Sequence, residues 1–496
     1  MAKSELSALV IVSGLLLPAC QRPTPEMQLV HDTAEAMGGL NDVTEVENLV
    51  LTGQGRQYRL GQNQYPMADL PYWEINEFTR VIDFGNQRWK LTQVRSSAFL
   101  TGNPSFNQEQ VLGLDGDVAY DVGTDSTARR VAAQVAAERK AEFYHHPVAL
   151  TQLAMLDGSM VTNLRHEDGQ NVVDITSADG DTYTLYVDSE TNWPSQIVSD
   201  GYNPNLGDVA ITTEFDDYQE TGGLGGFSTR MVLPRAVSVR IDDWPMWDLR
   251  VTTTTNQPIE DISAPEEVRS AEPATFQADV QVEEVTDGVW LLAGQSHHSV
   301  LIEFDEFLAL VEAPQNDART LAVITQARDL RPAKPLRYLI NSHHHFDHSG
   351  GVRAAVSEGL TIITHEFNRV FFENLVSRPH TRIQDALARR PQPLILETVS
   401  GDEVFELRSG RTLQVMRIVA DEHSDSILMG YLPDARILIE ADAFSLALRA
   451  APFAANLLTN IRDRELRVDR IVPIHGEVIE LAVLEEAVAA ASRPSA

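Results

Sequence analysis

Between residues 27 and 260 the hydrophobic positions fall in short runs rich in β-branched and aromatic residues, among them 48–53, 88–94, 182–187, 209–215 and 249–255. Gly, Asn and Asp separate them, the pattern of strands joined by turns. Two stretches depart from it. Residues 27–38 carry helical spacing and run into Gly38-Gly39, a helix stop, and residues 128–143 read as a helix interrupting the strands. The expectation is a β-rich domain over 27–260, built as a curved antiparallel sheet or half-barrel.

The pattern changes past residue 280. Strand-like runs at 288–292, 300–304, 307–311, 337–340 and 361–364 alternate with helical stretches at 318–330, 352–358 and 367–375. Further strands follow at 412–419, 426–431, 436–440 and 470–474, then a helix from Val478. Such alternation implies strands covered by helices, an α/β layered domain over 280–496. Pro258, Pro265 and Pro273 lie among Glu, Asp and Ser before it, so residues 261–279 read as a linker.

At 496 residues the chain is long enough for these two cores, and its net charge of −33 repels phosphate backbones, which argues against nucleic acid as a partner. Cys20 is the sole cysteine, excluding an internal disulfide or a cysteine metal cluster. It follows an apolar run at 8–17 that is too short to span a bilayer and lies behind Lys3, which reads as a signal peptide over 1–19. Leu17-Pro18-Ala19-Cys20 resembles the bacterial lipobox, which implies export, cleavage before Cys20 and lipidation of its thiol. Gln21 after the cysteine resembles the Gram-negative signal for the outer membrane. The expected membrane contact is through lipid alone, on the periplasmic side.

Ten of the fourteen histidines lie after residue 280, four of them within Asn341-Ser342-His343-His344-His345-Phe346-Asp347-His348. Residues two apart on extended chain point the same way, so His343 and His345 can grip one metal while His344 points elsewhere. Asp347 and His348 follow where Ser349-Gly350-Gly351 turns the chain, and can face a second metal.

This H-x-H-x-D-H string resembles the signature of the metallo-β-lactamase superfamily, and the resemblance extends over about residues 281–490. It implies an αββα sandwich and three further ligands in chain order: His423, the bridging carboxylate Asp442, and His475. His423 would complete the first site with His343 and His345; His475 would complete the second with Asp347 and His348. Ala441 and Ile474 stand where the superfamily has glycine beside a ligand, which bears on loop shape rather than on the ligand set. Glu312 occupies the place of an aspartate that orients a metal-bound histidine, and His297 and His298 lie where the chain passes the mouth of the site, a position for supporting or substrate contacts.

Nitrogen and carboxylate donors without thiolate suit two Zn2+ ions, with iron and manganese as alternatives. The resemblance implies a binuclear hydrolase acting through a metal-bridging hydroxide on an ester, thioester, lactone or similar bond of a small molecule, with Asp347 orienting the nucleophile. A bridging aspartate is closer to the glyoxalase II-like and lactonase-like arrangement than to β-lactamases with a cysteine there. Two other readings compete: a lipid-anchored carrier whose β-rich domain holds an apolar ligand, and a mononuclear iron oxygenase on the same fold.

Overall fold

A computed structural model describes residues 22–98, 107–221, 230–446 and 453–491, so Cys20 and the leader-like segment lie outside the described residues. Thr24 caps the first helix, Pro25–Ala36, by accepting a hydrogen bond from the Met27 amide, and Pro25 opens its first turn, where no donor is needed. The helix stops before Gly38 and Gly39, both at positive φ.

The chain then builds an antiparallel thirteen-stranded sheet with its first strand, Asn48–Tyr58, near the centre. That strand pairs on one side with Tyr72–Asp83 and on the other with Trp244–Thr255. The chain runs outward through one half of the sheet, crosses over through the helices Ala133–Tyr144 and Pro147–Met155, and returns strand by strand from the far edge. Alternate residues such as Trp89, Leu91, Ile175 and Leu185 point to one face, where they meet Leu29, Val30, Leu150 and Leu153 from the helices. Each such side chain contributes roughly 1.5–3 kcal/mol by leaving water.

Two sequence expectations change here. Residues 128–130 do not begin a helix: Ala128–Arg130 pairs with Val118–Val122 as an edge strand, and the helix starts at Ala133. Cross-strand pairing overrides local helical spacing at that point. The proline-containing linker is also ordered against the first domain. Its short helix Glu266–Ser270 and Ala264 pack on Tyr120, burying Val268.

The second domain has two sheets face to face. One orders seven strands from Gln281–Thr286 to Ile395–Val399; the other orders six from Phe405–Ser409 to Ile479–Glu480. In Leu308–Val311 the alternation is explicit. Ala309 and Val311 join the core between the sheets, whereas Leu308 and Leu310 face the outer helices Asp317–Leu330 and Val352–Ser357. Helices Ala454–Asp463 and Leu481–Ala491 cover the second sheet, completing an αββα sandwich. Among the described residues no helix is long and apolar enough to cross a membrane.

Candidate metal centre

Strand Leu336–Ile340 ends beneath the site, and the next eight residues deliver its histidines. Asn341 ties this segment together by donating from Nδ2 to the His348 carbonyl. The turn into helix Val352–Ser357 needs glycine. A Cβ on Gly350 would fall 2.2 Å from the Gln315 carbonyl oxygen, and one on Gly351 would fall 1.8 Å from Thr320 Oγ1.

Two groups of side chains result. Ligand atoms of His343, His345, His423 and Asp442 lie within 4.8 Å of one another, as do those of His297, Asp347, His348 and His475. Asp442 joins the groups: its Oδ2 is 2.9 Å from both His348 Nε2 and His423 Nε2, and its Oδ1 is 2.8 Å from His475 Nε2. The seven residues singled out by motif and resemblance are therefore brought together, with His297 beside them. His298 is not among them; it accepts from the Gly294 amide through Nδ1. His344 points away from the clusters, toward Asn63.

The histidines are held at the nitrogen that does not face the centre. His343 Nδ1 meets Ser342 Oγ at 2.8 Å, His348 Nδ1 meets Glu312 Oε2 at 2.7 Å, and His475 Nδ1 lies 2.8 Å from the Ser296 carbonyl oxygen. Glu312 is fully buried and also accepts from the Ser342 amide at 2.6 Å, so one carboxylate fixes both ends of the ligand segment. Glu312 and Asp442 both have positive φ, an uncommon conformation for non-glycine residues and one that tends to gather at functional sites.

The donor set fits metal ions. His343 Nε2, His345 Nδ1 and His423 Nε2 are buried without hydrogen-bond partners, which is costly unless something else satisfies them. Two of them nevertheless approach Asp442 Oδ2, at 3.4 and 2.9 Å, as ligands converging on a shared point do. His348 Nε2 and His475 Nε2 stand 3.2 Å apart with both partner nitrogens directed outward. The electrostatics agree. Burial pushes His348 down, but Asp442, Asp347 and Glu312 outweigh it and raise its pKa well above the usual histidine value. Burial, then neighbouring histidines, hold His343 and His345 well below it. Burial would raise Asp347, yet His348 and His297 bring it far below the carboxylate range.

Sequence reasoning missed the residues that reach this centre from the first domain. Gln62 Nε2 donates to Asp347 Oδ1 at 2.8 Å, and the Asn63 carbonyl accepts from His345 Nε2 at 2.9 Å. Nothing in a run of Gly, Gln and Asn some 280 residues upstream identifies it as part of a metal site.

With this geometry in place, the domain can be assigned. Residues 292–447 match the family model of the metallo-beta-lactamase superfamily, and this part of the chain has that superfamily's fold. No curated protein matches the chain. Among solved structures, a metallo-beta-lactamase from Pontibacter korlensis is 16% identical, with 43% of this chain and 100% of that one covered at a TM-score of 0.35. One from Hirschia baltica is 18% identical, covering 44% and 99% at 0.35. A rubredoxin oxygen:oxidoreductase from Desulfovibrio gigas is also 18% identical, covering 43% of this chain and 63% of its own at 0.34. The domain that matches carries His and Asp groups able to hold metal.

Proposed function

We propose that the chain is a two-metal hydrolase that cleaves an ester, thioester, lactone or similar bond in a small molecule. The observation that carries this reading is the meeting of two four-residue ligand groups at Asp442, whose Oδ2 lies 2.9 Å from His423 of one group and from His348 of the other, while its Oδ1 lies 2.8 Å from His475. Mononuclear oxygen chemistry would leave the second group without a role.

His343, His345 and His423 would hold one zinc ion, and Asp347, His348 and His475 the other, with Asp442 between them and His297 beside the second. Bound zinc supplies a hydroxide near neutral pH and an electrophile for the scissile carbonyl. The protein's part is orientation. Asp347 is kept ionised and is held from both sides, by Gln62 at Oδ1 and by His297 at Oδ2. An anchored carboxylate at this position is suited to orient a nucleophilic water and to pass its proton to the leaving group.

The test is a panel of esters, thioesters, lactones and lactams assayed with zinc-loaded, chelator-stripped and His345→Ala protein. Turnover that requires metal and is lost in the variant supports the reading; turnover by the stripped protein at the same rate refutes it. The leader-like segment and Cys20 support a further proposal, anchoring at the outer membrane on the periplasmic side. Cys20→Ser should then abolish incorporation of labelled palmitate, and unchanged labelling would contradict it.

A further inference from the structure

We infer that the amino-terminal domain is part of the metal centre: its loop between strands Asn48–Tyr58 and Tyr72–Asp83 positions the ligands His345 and Asp347. The inference rests on the two-metal reading above and assigns a task to the domain that precedes the superfamily fold.

The loop engages the ligand segments at consecutive residues. The Gly61 carbonyl accepts from the Phe346 amide at 3.2 Å, between the two ligands His345 and Asp347. Gln62 donates to Asp347, Asn63 meets His344 and His345, and the Gln64 carbonyl accepts from the amide of Asp425, two residues beyond His423, at 3.0 Å. Asn63 is buried, and its Nδ2 closes the loop on the Ala68 carbonyl.

Two of these contacts decide chemistry. A carbonyl oxygen can only accept, so the Asn63 carbonyl requires the proton of His345 to sit on Nε2. That leaves Nδ1, buried and otherwise unpartnered, as the lone pair facing its group. Gln62 is oriented in the same way. Arg59 can only donate, and its Nη2 lies 3.2 Å from Gln62 Oε1, so the Gln62 amide nitrogen faces Asp347 Oδ1. Asp347 Oδ2 is left on the side of His348 and His297. Burial lowers the pKa of Arg59, while Asp347 and Asp442 support its charge.

The fit is close enough to break with one side chain. Gly61 has φ +71°, and a Cβ there would lie 2.3 Å from the Phe346 ring. A second region of domain contact, where the Asp208 carboxylate accepts from the Thr381 and Arg382 amides, involves no proposed ligand and serves as a control.

The experiment compares the full chain with its Gly61→Val, Gln62→Leu and Asp208→Ala variants. The readouts are metal content, competition with a chelator for zinc, and the visible spectrum of the cobalt(II)-substituted protein. Gly61→Val and Gln62→Leu should weaken metal retention by about 10–100-fold and alter the cobalt spectrum, the size expected when a partner of a metal ligand is removed. Gln62→Leu removes a single partly exposed donor, so it remains informative if Gly61→Val fails to fold. Asp208→Ala should leave both readouts unchanged. Parent-like retention and spectra in both loop variants would overturn the inference, as would an equal loss in Asp208→Ala. A parent that holds no metal would overturn the two-metal reading itself, a result separate from either of these.

Discussion

Glu312 Oε2 and His348 Nδ1 lie 2.7 Å apart, and both side chains are completely buried. The contact fixes which nitrogen of His348 faces the centre and, through the Ser342 amide, where the ligand segment begins. Glu312→Gln keeps the shape but removes the charge. It should weaken binding of the second metal ion by about 10–100-fold while the first is retained, as read by stepwise zinc titration against a chromophoric chelator. Loss of both ions together would show instead that Glu312 supports the fold of the whole segment.

His344 and His345 are adjacent in sequence and opposite in role. His344 Nε2 is 3.3 Å from Asn63 Oδ1 and lies outside both ligand groups, whereas His345 is inside the first. His345→Ala should remove the first metal ion and lower kcat by at least about 100-fold, given the size of effects expected when a metal ligand's environment is lost. His344→Gln should bind both ions and keep most of its activity. Equal defects in the two variants would contradict the assignment.

His297 belongs to the second group together with Asp347, His348 and His475, and its Nε2 is 3.2 Å from Asp347 Oδ2. Whether it ligates metal or holds Asp347, His297→Ala should reduce kcat/KM and accelerate loss of the second ion, by about tenfold or more. His298→Ala, one residue away but outside both groups, should do neither. Stopped-flow release of the ion to excess chelator distinguishes the two variants.

Much of this was legible beforehand, for identifiable reasons. The spacing of His343, His345, Asp347 and His348 encodes a shared direction in a short segment, so the sequence itself displays their convergence. The strands of the second domain announce themselves because runs such as Leu308–Val311 are buried on both faces. The part played by Gln62 and Asn63 was not legible, since it depends on how one domain docks against the other. Residues 128–130 misled because helical spacing in a short run carries no information about the strand that will pair with it. The segment 261–279 has the composition of a tether, yet Ala264 and Val268 find a partner in Tyr120.

Acid should destabilise the first domain through His145. Its ring is buried between Thr213 Oγ1 at 2.9 Å and Ser199 Oγ at 2.8 Å, with the Tyr183 ring alongside, and burial lowers its pKa to about 4. Above the ordinary histidine value near 6.5 the folded and unfolded chains are both neutral there, so its contribution is fully present. As pH falls from about 6.5 toward 4, the unfolded chain takes up a proton that the folded chain refuses, and stability is lost. At pH 5 the loss is on the order of 2 kcal/mol. Urea unfolding of the parent and His145→Gln at pH 7.5 and pH 5 measures it: the parent should lose more stability than the variant, and equal losses would place the acid sensitivity elsewhere.

The most direct test of the two-metal centre is the metal content of protein expressed without residues 1–20, measured by mass spectrometry alongside His345→Ala and His475→Ala. The account predicts two zinc ions per chain in the parent and one in each variant, with a different ion lost in each. A single iron in the parent, or no retained metal after reconstitution with zinc, would contradict it.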